Sequence, residues 1–136
     1  MATFTDEQRA FMRDNPFPGV VTTLRRDGSP HSTVVWFDEN DGEIWINTAV
    51  GRAKERHLRR DPRAALIVVD PQNQFRWIAV SGPATMQTDG ADEHIDRLSK
   101  KYLGQDRYPW HDPKQQRIIV RITPDHVDST GFDEAA

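Results

Sequence analysis

The chain has 136 residues, of which 36% are apolar and 29% charged, and its formal net charge is −3. This length suits one domain, residues 1–136, with a single core. The absence of cysteine excludes disulfides, thiolate catalysis and cysteine metal ligands. No apolar run approaches the roughly 18 residues of a membrane-spanning helix. Residues 1–15 are too polar for a secretion signal, so we expect a cytoplasmic protein without membrane association.

The N-terminal segment predicts a short helix. Thr5 and Gln8 have the spacing of a capping box, with Thr5 as the N-cap. The helix should bury Phe4, Phe11 and Met12 on one face. It should end before the next proline, because the residue preceding proline disfavours helical backbone.

Three strands are predicted next, at residues 19–24, 31–37 and 43–48. Gly28 lies in the first hairpin turn, and an acidic turn at residues 39–42 precedes the third strand. Tight turns join antiparallel neighbours, so these strands should form a three-stranded meander.

A basic segment follows the third strand. Residues 49–51 form a predicted tight turn, and a short helix should run from there to Pro62. From Arg52 to Arg63 there are six Lys or Arg residues against Glu55 and Asp61, on a chain that is acidic overall. Free N–H groups and the positive end of the helix dipole should reinforce these side chains, so the helix start is a candidate anion site.

Spacing distinguishes Lys54 from its basic neighbours. Lys54 precedes Leu58, the apolar anchor of the helix, by four residues and should face the protein body. A more outward stripe comprises Arg52, Arg56, Arg59 and Arg63. An inward lysine needs a negative partner to offset its desolvation. Either Lys54 pairs with an internal aspartate, with the arginines as a solvated face, or it binds a phosphate-bearing ligand.

The C-terminal half predicts three more strands and one helix. Residues 64–69 form an apolar run typical of a central strand, residues 76–87 a strand bent or bulged at Gly82–Pro83, and residues 117–123 an alternating strand. Asp89 should cap a helix that ends at Gly104, and the tail beyond Thr130 should be frayed. Six strands with few helices indicate a small antiparallel barrel.

Side-chain catalysts are not evident in the sequence. The five histidines are scattered, the serines lack a nucleophile-elbow context, and no glycine-rich phosphate motif occurs. The acidic total and the lack of a docking motif also argue against nucleic-acid binding. A bound cofactor would therefore supply the chemistry. The tryptophans Trp36, Trp45, Trp77 and Trp110 could line a flat ring pocket or anchor the core and an interface.

Three sequence stretches carry a family resemblance: TTLRRDGSPHSTVVWF, IWINTAVGRAKERHLRRDPRAALIVVD and RWIAVSGPATM. They resemble the pyridoxamine 5′-phosphate oxidase-like superfamily of flavin-binding split β-barrels. Within it, the chain is similar to the actinobacterial flavin/deazaflavin oxidoreductases of the B group, which are associated with coenzyme F420. The resemblance spans about residues 4–127. It implies a mainly β split barrel that forms a homodimer with two interfacial cofactor sites.

The resemblance also implies roles for individual residues. Thr48, Arg52 and Lys54 match positions that hold the cofactor phosphate, and Arg60 could meet an anionic tail. Strand positions against the ring system, acting mainly through backbone, are Val35, Trp36, Ile46 and Asn47. Trp77 matches a position reached from the second subunit. The chain has Arg52-Ala53-Lys54 where pyridoxamine oxidases have Ser-Arg-Lys, so oxidation of pyridoxamine phosphate is not expected.

The resemblance leaves FMN and F420 both open as cofactors. FMN has one phosphate, whereas F420 has a phosphodiester and a glutamate chain, which suits the run of six cations. We therefore expect an F420H2-dependent reductase that passes a hydride from the deazaflavin C5 to an unsaturated or conjugated small-molecule acceptor. The irregular segment 103–116, with Tyr108 and Trp110, is a predicted flap over the acceptor pocket. The alternatives are an FMN-dependent flavoprotein oxidoreductase and a non-catalytic F420 or flavin carrier.

Overall fold

A computed structural model describes residues 2–132 of the chain. The fold is mainly β, with three helices. The helices are α1 (Asp6–Arg13), α2 (Ala53–Arg60) and α3 (Ala91–Leu103). The strands are β1 (Gly19–Leu24), β2 (Pro30–Val35), β3 (Phe37–Asn40), β4 (Glu43–Ala49), β5 (Arg63–Asp70), β6 (Asn73–Gln87), β7 (Arg117–Ile122) and β8 (His126–Thr130). No helix in this range is long and apolar enough to cross a membrane.

The strands form one antiparallel sheet in the order β2-β1-β5-β6-β7-β4-β3, with β8 paired to β6. The two ends of this order, β2 and β3, are consecutive along the chain and are separated only by Trp36. The sheet must therefore curl until its two edges meet at Trp36. Within residues 2–132 no pairing joins β2 to β3, so the barrel is split rather than closed. This architecture confirms the predicted split β-barrel class.

The predicted three-stranded meander is wrong because its middle strand is not continuous, although both of its hairpins are present. The stretch expected as one strand over residues 31–37 is interrupted at Trp36, where β2 ends and β3 begins. β2 pairs with β1, whereas β3 pairs with β4 at the opposite edge of the sheet. The Trp36 ring stacks on Tyr102 of α3 at 5.3 Å between ring centroids. The chain thus crosses from one half-barrel to the other at an anchored aromatic residue.

A long central strand connects the two halves of the barrel. β6 pairs with β5 as far as Pro83 and with β7 from Ala84 onward. The Gly82–Pro83 site is therefore the point where the strand changes partner, as the predicted bend suggested. The register shift lies elsewhere, between Val69 and Asp70. A side chain at Gly82 would overlap the carbonyl oxygen of Thr123, so the strands approach too closely there for any other residue.

The remaining expectations were partly correct. The capping box at Thr5 is present, and Phe4, Phe11 and Met12 are buried. Gly90, rather than Asp89, is the N-cap of α3, with φ of +76°. The helix ends at Gly104 as predicted. The expected count of six strands was too low, because the second strand is split and β8 was not foreseen.

The tail beyond Thr130 is not frayed where the structure describes it. The Phe132 ring packs edge-on against Phe11 at 5.0 Å between centroids. The Arg76 guanidinium lies over the Phe132 ring at 4.5 Å. Residues 133–136, which belong to the same prediction, lie outside the described residues.

The outer face of the first half-barrel carries a row of apolar residues, with Thr22, Ser32 and Asp128 beside it on the same face. β5 occupies the predicted central position, between β1 and β6, but only alternate residues face the core. Val34, Val20, Ile67 and Ala79 are successive cross-strand partners on β2, β1, β5 and β6. Val34 is 71% exposed and Ile67 is 38% exposed. We call this row, with the neighbouring Val69, the outer apolar face.

Candidate functional site

A cleft of about 300 Å³ lies where the two half-barrels meet. Its walls come from the end of β2, the end of β4, the start of α2, the inner side of α3 and the irregular segment after α3. This volume is at the lower end of the range for small-molecule sites, about 300 to 1,000 Å³. The cleft can therefore accept a small molecule or part of a larger cofactor.

Most of the sequence-predicted residues line this cleft. They are Val35, Trp36, Asn47, Thr48, Arg52, Lys54, Tyr108 and Trp110. Residues from β2, β4 and α2 meet because β4 runs directly into the turn before α2, while β2 ends beside it at Trp36. The structure thus brings together side chains that are far apart in sequence.

Three predicted residues do not line the cleft. Ile46 is fully buried in the core, so only its backbone is available to the cleft. Arg60 donates from Nη2 to the carbonyl oxygen of Leu24, 2.7 Å away, on the far side of α2. Trp77 is paired with Val69 and therefore lies on the outer apolar face.

Lys54 is half-buried and faces the barrel, as its spacing predicted. Its Nζ donates to the Thr33 hydroxyl at 3.1 Å, and no carboxylate of residues 2–132 lies within ion-pairing distance of it. Burial, together with the charge of Arg52, lowers the pKa of Lys54 below its ordinary value. The alternative of an internal aspartate partner is therefore not observed. The inward lysine instead meets only a neutral hydroxyl.

The start of α2 is only partly open to an anion. Arg52 is the N-cap, a position usually held by Ser, Thr, Asp or Asn, and its side chain makes no capping hydrogen bond. The buried Glu55, however, accepts from the Gly51 N–H at 2.7 Å and binds Arg59. Hydrogen bonding from Arg59 lowers the pKa of Glu55. The protein thus supplies one carboxylate of its own, so the predicted set of free N–H groups is smaller than expected.

Thr48 has a buried hydroxyl in the cleft wall. The residue is 1% exposed, and its Oγ1 has no hydrogen-bond partner within residues 2–132. An unsatisfied buried hydroxyl typically reduces stability by about 1–3 kcal/mol. Such an atom at the rim of a cationic cleft is consistent with a bound polar ligand.

Arg117 is a cleft residue that the sequence analysis did not single out. It is 8% exposed at the start of β7, and its Nε donates to the Asn47 Oδ1 at 2.8 Å. Its guanidinium lies over the Tyr108 ring at 5.6 Å. Burial lowers the pKa of Arg117. No feature of the sequence sets Arg117 apart, because its strand also carries Arg121.

Aromatic side chains form another wall of the cleft. The Tyr108 ring meets Trp36 edge-on at 6.1 Å and Trp110 at 5.6 Å between centroids. Trp110 is 64% exposed. The predicted flap segment is irregular, and it presents these rings beside Ile95 and Leu98 of α3. A flat conjugated ring could be held against this wall by stacking.

A second concave surface, about 570 Å³, lies on the opposite side of α2, and we call it the basic groove. Its lining consists of Arg25, Arg26, Arg56, His57, Arg59 and Arg60. Burial, and then the charges of His31 and the arginines, lower the pKa of His57. The basic groove and the cleft share α2 as a common wall. Within residues 2–132 no cluster of three or more potential metal ligands is found.

Comparisons with known proteins agree with this architecture. The chain is 25% identical over 124 residues to an F420H2-dependent biliverdin reductase of Mycobacterium tuberculosis, covering 90% of this chain and 85% of that protein. Its fold resembles the solved structure of an F420 reductase, with a TM-score of 0.78, 24% identity, and coverage of 91% and 98% of the two chains. It also resembles a conserved hypothetical protein of Mycobacterium tuberculosis, with a TM-score of 0.74, 25% identity, and coverage of 98% and 91%.

A family model also matches nearly the whole chain. The pyridoxamine 5′-phosphate oxidase model matches residues 4–131, which includes every strand and helix of the fold and the whole cleft. The chain belongs to the pyridoxamine 5′-phosphate oxidase family.

Proposed function

We propose that the protein is an oxidoreductase that uses reduced coenzyme F420, bound in the cleft between the half-barrels. The observation that carries this proposal is the pair of cleft cations Arg52 and Lys54, neither of which has an ion-pairing carboxylate within residues 2–132. Arg52 is exposed, but Lys54 is half-buried, and a charge removed from water is normally paired. An anionic ligand would supply the missing partner.

The residues present fit a phosphate-bearing cofactor. Arg52 and Lys54 would hold the phosphate, and Thr48 would turn its unpartnered hydroxyl toward it. Trp36, Tyr108 and Trp110 would orient a flat ring and exclude water from its face. When bound, reduced F420 supplies a hydride from its C5 to an unsaturated or conjugated acceptor. The acceptor also needs a proton to complete its reduction, and because water can supply that proton, the transfer calls for no acid or base side chain.

The basic groove favours F420 over FMN. FMN carries a single phosphate, which Arg52 and Lys54 could satisfy alone. F420 also carries a glutamate tail, and the groove along α2 offers arginines, such as Arg25 and Arg56, that have no ion pair within residues 2–132. The F420H2-dependent biliverdin reductase, which is 25% identical to this chain, also supports F420 over FMN.

A homodimer with interfacial sites fits the outer apolar face. Val34 belongs both to this face and to the cleft wall. A second copy covering the face would therefore also border the cleft. Trp77, on the same face, would then be available to the cleft of the other copy, in the role that the sequence analysis expected.

Fluorescence titration with F420 tests the proposal. We expect micromolar or tighter binding by the wild-type protein. Replacing Lys54→Ala should weaken it about tenfold or more, because a charge-assisted contact is worth about 1.5–3 kcal/mol. The matched control is Lys100→Ala, an exposed lysine of α3 that pairs only with exposed Asp106. Equal affinities for both variants would remove Lys54 from the site.

Two other functions remain as measurable alternatives. An FMN-dependent oxidoreductase is favoured by the single phosphate cradle of Thr48, Arg52 and Lys54, and a purified protein with an FMN absorption spectrum would establish it. A carrier is favoured by the lack of acid–base side chains. It would bind F420 tightly but reduce none of a panel of quinones, enones, nitro compounds and tetrapyrroles.

A further inference from the structure

Arg117 is a buried cation whose hydrogen-bond partners within residues 2–132 are all neutral. Besides the Asn47 contact, its Nη1 lies 3.5 Å from the Gln115 Oε1. The same Oε1 accepts from Arg52 Nη2 at 3.3 Å. Two guanidinium groups therefore share one neutral amide oxygen, where a carboxylate would be expected. The Nη2 of Arg117 makes no hydrogen bond within residues 2–132.

Two hydrogen-bond partners fix the orientation of the Asn47 amide, because one of them can only donate and the other can only accept. Arg117 Nε can only donate, so the amide oxygen of Asn47 must face it. The carbonyl oxygen of Ala91 can only accept, so the amide nitrogen must face Ala91, at 2.8 Å. The side chain cannot be flipped without breaking both contacts.

The fixed amide determines the tautomer of His94. Asn47 Nδ2 lies 3.1 Å from His94 Nδ1, and because Nδ2 is a donor, Nδ1 must accept. The imidazole proton is then on Nε2, which donates to Asp38 Oδ1 at 2.8 Å. His94 is 1% exposed, so this arrangement is buried. We call Asp38, His94 and Asn47 the buried relay.

The buried relay has its own anchor at the surface. Arg97 donates to the second oxygen of Asp38 at 3.1 Å. Burial opposes ionisation of Asp38, but the hydrogen bond from His94 and the charge of Arg97 outweigh it and lower the pKa of Asp38. The relay thus ends in a fixed carboxylate on one side and in the Arg117 guanidinium on the other.

We infer that Arg117 is an additional anion-binding residue of the cleft, held in place by the buried relay, and that its ligand is a phosphate or carboxylate group. Arg117 would touch the ligand, whereas His94 is a positioning residue that acts through Asn47. The inference rests on the proposed function for the identity of the cofactor. Two molecules could carry the acid group: the cofactor, through its phosphate, or the acceptor, through a carboxylate.

Two matched ligand pairs separate these sources. The first pair is F420 and its chromophore FO, which lacks the phosphate and the glutamate tail. The second is 2-naphthoate and the uncharged 2-naphthamide, titrated into F420-loaded protein and also into protein without cofactor. Binding is followed by cofactor or tryptophan fluorescence, so no turnover is needed.

We expect Arg117→Gln to weaken the anionic member of one pair at least tenfold more than its neutral member. If Arg117→Gln loses affinity only for F420, the acid group belongs to the cofactor. If it loses affinity only for naphthoate, the acid group belongs to the acceptor. The control is Arg121→Gln, on the same strand, where the arginine pairs with Glu43. The inference is wrong if the wild type prefers neither anion, or if Arg117→Gln leaves both preferences unchanged.

Substitutions of His94 test the buried relay separately. His94→Asn places an acceptor where Nδ1 was and should keep the anion preference. His94→Gln places its amide at the position of Nε2 instead, so Asn47 loses its acceptor. This variant should reduce the preference for the anionic ligand about threefold or more. Equal anion preferences in the two variants would remove His94 as a positioning residue, and thermal unfolding identifies any variant that has simply lost its fold.

The failure of this inference can be told apart from the failure of the proposed function. If the wild type binds F420 tightly and Arg117→Gln keeps both anion preferences, only the inference about Arg117 is wrong. If F420 does not bind, the proposed function fails, and the naphthoate pair still tests Arg117.

Discussion

Thr48 carries a buried polar atom for which residues 2–132 provide no partner. Replacing Thr48→Val keeps the side-chain shape and removes the hydroxyl. We expect the free energy of unfolding to rise by about 1 kcal/mol, because an unsatisfied buried group is eliminated. F420 affinity should fall several-fold, since the hydroxyl would no longer reach the phosphate. Urea denaturation and fluorescence titration measure the two effects.

The matched control for Thr48 is Thr23→Val. Thr23 is equally buried, but its Oγ1 bonds to His57 Nδ1 at 2.9 Å. Losing that bond should lower the free energy of unfolding by about 1 kcal/mol, a change opposite in sign to that of Thr48→Val. If both variants are destabilised alike, Thr48 already has a partner, and its link to a ligand fails.

Sequence reasoning found the site residues whose signal is local. Lys54 was identified because helical spacing relates it to Leu58, and Arg52 because it lies at a helix start. Arg117 and His94 gave no local signal. Their significance depends on Asn47, which lies 70 residues from Arg117 and 47 from His94. Such contacts depend on the final strand order, which one sequence does not state.

At the scale of elements, Gly82 is the most constrained position. A Cβ there would overlap a backbone carbonyl of the strand connection at Thr123, which cannot move as a side chain would. We expect Gly82→Ala to lower the free energy of unfolding by about 3 kcal/mol, the upper part of the range for overpacking. Urea denaturation of the purified variant measures this change.

A second glycine provides the comparison for Gly82. Gly90 has φ of +76° but open space around it. Gly90→Ala should therefore cost only the left-handed backbone strain, about 1–2 kcal/mol. A Gly82→Ala variant no less stable than Gly90→Ala would show that β6 can shift at its change of partner.

Elements whose ends are set by a few adjacent residues were predicted well. Elements whose limits depend on pairing with a distant strand were not. The capping box at Thr5 and the stop at Gly104 depend on a few adjacent residues. The break at Trp36 could not be read from the pattern, because residues 34–37 form an uninterrupted apolar run without a turn residue. β8 is short and half-exposed, with a weak alternation, so its pairing with β6 was also invisible.

At the scale of the whole molecule, the outer apolar face predicts assembly. Ile67 lies at its centre, and a charge there would oppose burial against a second copy. We expect the wild type to be a dimer by light scattering and Ile67→Glu to be largely monomeric, with F420 affinity reduced if the partner completes the site. The control is Leu103→Glu, at a similarly exposed leucine outside that face. Identical masses for wild type and Ile67→Glu would contradict the prediction.

The pH dependence of stability is also a property of the whole fold, and Lys101 should dominate it at moderately alkaline pH. Its Nζ donates to the carbonyl oxygens of Met12 and Phe37, at 2.6 and 2.8 Å, and so ties α3 to α1 and β3. Burial lowers the pKa of Lys101 to about 8, although Asp38 and Asp14 act in the opposite direction. The unfolded chain should titrate near the ordinary value of 10.5.

Between these two pKa values the unfolded state binds more protons than the folded state, so the free energy of unfolding should rise with pH. From pH 8 to 10 the gain should be about 2 kcal/mol, at 1.36 kcal/mol per unit. Above pH 10 the trend should reverse, because burial raises the pKa of Tyr102 and the folded state then holds the extra proton. Urea denaturation at each pH gives the curve. Lys101→Met should lose most of the rise, because Lys54, whose pKa is also lowered, retains a smaller part. Lys100→Met, at an exposed neighbour, should keep the rise. Parallel curves for the wild type and Lys101→Met would show that Lys101 is not the titrating group.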